Sequence, residues 1–171
     1  MRAAYRQAMD FLYLACAMVA GAALVLITLI IPWGVFTRYG LNSAASWPEP
    51  AAILLSIVLT FFGAAACYRI GQHMQVTFVR DHLPPAARRL ADLAAELLVA
   101  ALAAFMAVWG WRLCIDTWNQ SIAEFPAFSV GVTYLPIPLG GVCLMLFVIE
   151  RLALGRPSAP AAAGRVVVPF D

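Results

Sequence analysis

Four stretches of the chain, residues 11–33, 51–68, 90–111 and 134–149, are apolar at nearly every position, and the polar residues gather in the gaps between them. The runs are continuous and do not alternate with period two, which predicts helices and not barrel strands in an apolar solvent. A hydrocarbon core ~30 Å thick takes about 20 helical residues at ~1.5 Å each. Residues 11–37 carry no charge at all, so the first run crosses with room for tilt. The third run is free of charge only over 97–111 and needs the preceding turns, where Arg88, Asp92 and Glu96 share one face at i, i+4, i+8 and can pair along it. Pro84-Pro85 marks the start of this amphipathic segment, which reads as lying partly in the interface. The predicted spans are 11–33, 47–68, 90–111 and 134–152.

Charge then orients the spans. The chain has eleven arginines and no lysine, and nine of the arginines fall in alternate gaps. Arg2 and Arg6 precede the first span. Arg69, Arg80, Arg88 and Arg89 lie between the second and third, and Arg151, Arg156 and Arg165 follow the fourth. Arg38 and Arg112 stand alone in the other gaps. This alternation predicts four crossings with both termini cytoplasmic. All five tryptophans, Trp33, Trp47, Trp109, Trp111 and Trp118, lie at or near the arginine-poor side, where indoles favour the headgroup level. Their one-sidedness reads as a wet or protein-facing outer surface.

With 64% apolar and 12% charged residues, the chain cannot cover a soluble surface, and short loops leave no room for a soluble domain. The reading is one all-α integral membrane domain, 1–154, with a Pro/Ala-rich tail at 155–171 expected to be a disordered cytoplasmic extension. The first run far exceeds the ~7–15 apolar residues of a signal peptide, so a retained helix is expected. Cys16, Cys67, Cys114 and Cys143 show no metal or disulfide spacing and read as small packing residues.

Local signals refine the helices. Ser46-Trp47-Pro48-Glu49 fits a capping box, with Ser46 as N-cap and Glu49 reaching back. Pro48 and Pro50 suit a first helical turn. Small residues allow close helix approach in lipid, which nominates Gly21 on the first helix and Ser56, Thr60, Gly63 and Ala64 on the second, with Ala100, Ala104 and Ala107 on the third. Pro136 and Pro138 predict a bent or broken opening of the fourth helix.

The chemistry this pattern excludes is informative. No Asp, Glu, Lys, Arg or His falls at mid-depth in any predicted span, where a proton or ion path needs one. The two histidines, His73 and His82, share one loop and cannot ligate a haem from facing helices. Nothing resembles a phosphate loop, a nucleophile elbow or a metalloprotease motif. The chain is expected to be neither an enzyme nor a transporter on its own, with no cofactor, no metal, no catalytic or substrate-binding residue and no nucleic-acid partner.

Arg38 after the first helix, Trp47 and Glu49 opening the second, and the run Phe62-Gly63-Ala64-Ala65-Ala66-Cys67-Tyr68-Arg69-Ile70-Gly71-Gln72-His73-Met74 together resemble the small permease (Q, DctQ-type) subunit of tripartite ATP-independent periplasmic (TRAP) transporters. Leu83-Pro84 with Arg88-Arg89, and the proline-containing segment from Tyr134 to Gly140, fit the same pattern. The chain departs from it at Pro50 and Thr77, where acidic residues are common. The resemblance implies a scaffold subunit in the bacterial inner membrane, partnered by a large permease (M) subunit that carries substrate and sodium sites and moves as an elevator. It also implies a periplasmic binding protein that docks on the outer face and delivers an organic acid. Arg38, Trp47, Glu49 and Trp118 are the candidate contacts to these partners, with headgroup snorkelling the other reading of Arg38 and capping that of Glu49. Arg69, His73, Arg88 and Arg89 are the candidate cytoplasmic-loop and lipid contacts. The alternatives are a free-standing small multi-span transporter and a membrane assembly or redox protein.

Overall fold

A computed structural model of the chain describes residues 2–43, 45–71, 84–122 and 129–154. His73 and the tail at 155–171 lie outside the described residues. Arg88 and Arg89 lie in a described helix, but their side chains are outside that description. Among the described residues, five helices follow in order: α1 (Arg2–Tyr39), α2 (Pro48–Arg69), α3 (Pro85–Asp116), α4 (Val130–Tyr134) and α5 (Pro136–Leu154). Among the described residues, pairing outside helices is confined to one isolated bridge between Ser121 and Ser129. The stretches Tyr5–Tyr39, Pro48–Arg69, Leu90–Asp116 and Val130–Ala153 are long and apolar enough to cross a membrane. The protein is an all-α membrane protein.

α1 has 38 residues, about 57 Å at ~1.5 Å per residue, so it outruns the hydrocarbon core. α3 is a single 32-residue helix, and the amphipathic turns from Pro85 share its axis without a break. The expected bend opening the last span is present. α4 stops at Tyr134, Leu135 forms a turn, and Pro136 restarts the chain as α5 because it has no N–H to continue the first helix. Ser129 caps α4, its hydroxyl accepting from the Gly131 N–H at 3.1 Å.

The capping box at the start of α2 does not form. Trp47 occupies the N-cap position with helical dihedrals, and no side chain caps the end. Pro48 and Pro50 have no N–H, and the Ala51 N–H already reaches the Trp47 carbonyl at 3.1 Å, so few donors are left to cap.

The long helices stand in the row α1–α2–α5–α3, with α1 and α3 at its edges. The buried cluster of Met9, Ala65, Tyr68, Ala103, Leu144, Phe147 and Val148 sits where α5 meets its neighbours. Two adjacent glycines bring α5 close to both. A Cβ on Gly140 would lie 2.8 Å from the Phe61 Cβ of α2, and one on Gly141 would lie 2.9 Å from the Ala107 nitrogen of α3.

The packing residues nominated from sequence divide between those in contact with another helix and those that are not. Gly21 faces open space. Ser56, Thr60 and Ala64 form an uncovered stripe on α2, the two hydroxyls donating to the carbonyls of Ala52 and Ser56, each at 2.7 Å. Gly63 meets α1, where a Cβ would lie 3.8 Å from that of Ala20, Ala107 abuts Gly141 of α5, and Ala100 packs against the buried cluster. On α1 the face in contact runs one position away, through Cys16, Ala20 and Ala23, whereas on α3 Ala103 and Gly110 share the nominated face of Ala100 and Ala107. Composition locates small residues, but helix phase decides which of them face a neighbour.

Candidate functional site

The two ends of the helix row differ in kind. At one end meet the N-terminal part of α1, the C-terminus of α2, the N-terminal half of α3 and the C-terminus of α5. Here α2 closes with Tyr68-Arg69 and α5 carries Glu150-Arg151. Consecutive helical residues diverge by about 100°, so each dipeptide sends its two side chains to different sides of the row.

On the α1 side, Arg69 Nε donates to Glu150 Oε2 at 2.9 Å and its Nη2 to Glu150 Oε1 at 3.0 Å. The same Nη2 donates to Asp10 Oδ1 at 2.6 Å. On the α3 side, Arg151 Nε meets Glu96 Oε1 at 2.8 Å, and the Tyr68 hydroxyl donates to Glu96 Oε2. Aromatic rings cover the cations. The Arg69 guanidinium lies 5.6 Å from the Tyr13 ring centre and 5.5 Å from that of Phe147, and Arg151 lies 5.3 Å from that of Tyr68. All four long helices are tied in one charged layer.

Arg69 is therefore neither a loop residue nor a lipid contact. Its side chain is 5% exposed and that of Glu150 3%, whereas the Asp10 side chain remains 62% exposed. A buried guanidinium needs hydrogen-bond acceptors in reach, and the two carboxylates and the ring faces supply them. The sequence reading missed this layer because a charge at the end of an apolar run also marks where a span stops. The available signal was complementarity: Tyr-Arg closes one span and Glu-Arg another on the same arginine-rich side.

The opposite end holds all four residues singled out for partner contact, three of them on the α1 side of the row. After α1, Gly40 N–H bonds the Phe36 carbonyl at 2.7 Å and Ser43 N–H the Thr37 carbonyl at 3.1 Å, with Asn42 in a left-handed conformation at φ 47°. This turn returns the chain beside α1 and leaves a cleft of about 590 Å³ between α1 and α2. Arg38 and Glu49 both line it, and Trp47, at its mouth in sequence, is 41% exposed. Among the described residues neither Arg38 nor Glu49 has an ion-pair partner.

Trp118 lies at the same end but on the α3 side of the row, 52% exposed. Its backbone is fixed, because its carbonyl accepts from the Ser129 hydroxyl and a Cβ on Gly131 would meet its Cα at 3.0 Å. Arg112 lies 5.6 Å from the centre of the Trp109 ring, which stacks on Phe105 with centroids 5.1 Å apart. The structure thus unites Arg38 and Glu49 and leaves Trp118 apart from them.

Comparison with known proteins agrees with this architecture. Residues 27–156 match the family described as tripartite ATP-independent periplasmic transporters, DctQ component. The chain is 27% identical over 127 residues to the sialic acid TRAP transporter small permease protein SiaQ of Vibrio cholerae, covering 72% of this chain and 70% of that protein. It is 25% identical over 129 residues to a putative TRAP transporter small permease protein of Haemophilus influenzae, covering 75% and 80%. The ectoine TRAP transporter small permease protein TeaB of Halomonas elongata is 23% identical over 107 residues, covering 62% and 55%.

Proposed function

The chain belongs to the DctQ component family of tripartite ATP-independent periplasmic transporters, and from that premise we propose that it is the scaffold subunit of a sodium-coupled importer of an organic acid. It is a multi-pass transporter subunit and not an enzyme. Its partners are a large permease subunit, which holds sodium and substrate, and a periplasmic binding protein. Both termini face the cytoplasm of a cell with this chain in its inner membrane, as the arginine alternation requires.

The observation that carries this reading is the shape of the helix row. A row presents two broad apolar faces and, at the Arg69 end, is fastened through all four helices, which suits a rigid support for a moving neighbour. Much of its surface is uncovered, with Leu29 63% exposed on α1 and Leu98 72% on α3. Patches of this extent fit a permanent partner as well as lipid. The end bearing Trp47 and Trp118 is the docking face for the binding protein, since exposed indoles on a fixed backbone suit hot-spot contacts.

The relatives named for their solutes carry sialic acid and ectoine, both of which bear a carboxylate. A carboxylate-bearing solute is the corresponding expectation here.

The test is co-expression with a large TRAP permease subunit from the same genome. Affinity capture of this chain brings the large subunit down in mild detergent, and proteoliposomes holding both take up solute only with the binding protein and an inward sodium gradient. Flux by this chain alone, or its purification as an isolated monomer from native membranes, overturns the proposal.

A further inference from the structure

The cleft between α1 and α2 has a polarity gradient along its length. At the mouth stand the guanidinium of Arg38, the carboxylate of Glu49 and the hydroxyl of Ser46. Seven residues deeper on each helix it is lined by Ile31 and Ser56, about 10 Å further in at ~1.5 Å per residue. The Ser56 hydroxyl donates to the Ala52 carbonyl at 2.7 Å, so the deep part presents an essentially apolar wall. Gly34 and Pro48 abut, a Cβ on Gly34 lying 3.0 Å from the Pro48 Cβ, and with Ala52 they line the cleft where the two helices approach.

We propose that this cleft holds one phospholipid with a phosphoethanolamine headgroup. Charge complementarity selects the occupant. An arginine on one wall and a glutamate on the other, neither paired with a described residue, match a headgroup bearing one phosphate and one ammonium. The guanidinium fork takes two phosphate oxygens, and the carboxylate accepts from a primary ammonium. A choline headgroup has no N–H to give Glu49, and a glycerol headgroup has no positive charge. Trp33 and Trp47, 51% and 41% exposed, lie on the helices that form the mouth, as residues of the headgroup level do. An acyl chain then follows the apolar wall downward. The site stands independently of the docking reading and requires no particular orientation of the chain.

The experiment is native mass spectrometry of the complex with the large subunit, purified in mild detergent. It is first loaded with equimolar phosphatidylethanolamine, phosphatidylglycerol and phosphatidylcholine. The wild type retains one phosphatidylethanolamine per small subunit. Arg38→Ala lowers that occupancy about tenfold, as loss of a charge-assisted contact implies, and Glu49→Gln removes the preference over phosphatidylglycerol. Arg112→Ala, at the same end but outside the cleft, leaves retention unchanged. Absence of a retained lipid on the wild type, wild-type retention by Arg38→Ala, or displacement by millimolar inorganic phosphate without regard to lipid type overturns the proposal. Arg38 and Glu49 are exposed side chains without described ion pairs, so both variants keep the fold, which unchanged helical circular dichroism and melting midpoint verify.

Discussion

Arg69 and Glu150 meet side-on across α2 and α5, the guanidinium Nε and Nη2 donating to the two carboxylate oxygens at 2.9 and 3.0 Å. This two-point contact fixes the angle as well as the distance between the inner helices. Removing one partner leaves the other charge buried, which costs about 3–5 kcal/mol. Arg69→Ala and Glu150→Ala are each expected to lower the thermal midpoint in detergent strongly. The double variant Arg69→Met/Glu150→Leu is expected to be more stable than either single one. Equal and additive losses would show that the pair is not coupled.

The neighbouring contacts rank below it. Asp10 shares the same guanidinium nitrogen but keeps most of its carboxylate in solvent, so Asp10→Asn costs no more than about 1 kcal/mol. Glu96 is more enclosed and receives both Arg151 and the Tyr68 hydroxyl. Glu96→Gln therefore destabilises more than Asp10→Asn in the same melting measurement, and a reversed order would contradict the geometry.

Glycine substitutions separate packing from composition. Gly141→Ala sets a methyl 2.9 Å from the Ala107 nitrogen and 3.0 Å from the Ala103 carbonyl oxygen, atoms that cannot rotate away. A loss of about 1–3 kcal/mol is expected. Gly21→Ala meets nothing within 4 Å and is expected to leave stability unchanged or slightly raised. Denaturation by graded detergent, read by loss of helical circular dichroism, distinguishes the two.

Trp47 offers a functional rather than a structural test. Its ring is substantially exposed and caps nothing, so Trp47→Ala is expected to change stability by no more than about 0.5 kcal/mol. If the indole is a docking anchor, transport needs about tenfold more binding protein to reach half-maximal rate, at unchanged membrane abundance. Wild-type uptake at wild-type abundance removes Trp47 from the docking face.

The four long helices were legible because lipid imposes a long, unbroken apolar run on any span, and those runs stand plainly in the chain. Even the bend before the last span could be read, since Pro136 has no N–H to continue a helix. What periodicity could not supply was phase between helices. Gly21 and Ala20 are adjacent and both small, yet only Ala20 meets α2. The same limit hid the charged layer. Arg69 and Glu150 are separated by 81 positions, and only the fold places them in contact. Arg38 and Glu49 were singled out together as partner contacts, but their common cleft depends on the turn through Asn42 that brings α2 back beside α1.

The adjacent glycines of α5 have a mechanical consequence. Gly140 faces α2 and Gly141 faces α3, so the two interfaces act in series through one thin wall. Extra volume at Phe61 cannot be absorbed by sliding α5 away, because that motion closes the space at Ala107. A compensating change at one interface must be matched at the other, and α2 and α3 constrain each other's sequence through a helix that belongs to neither.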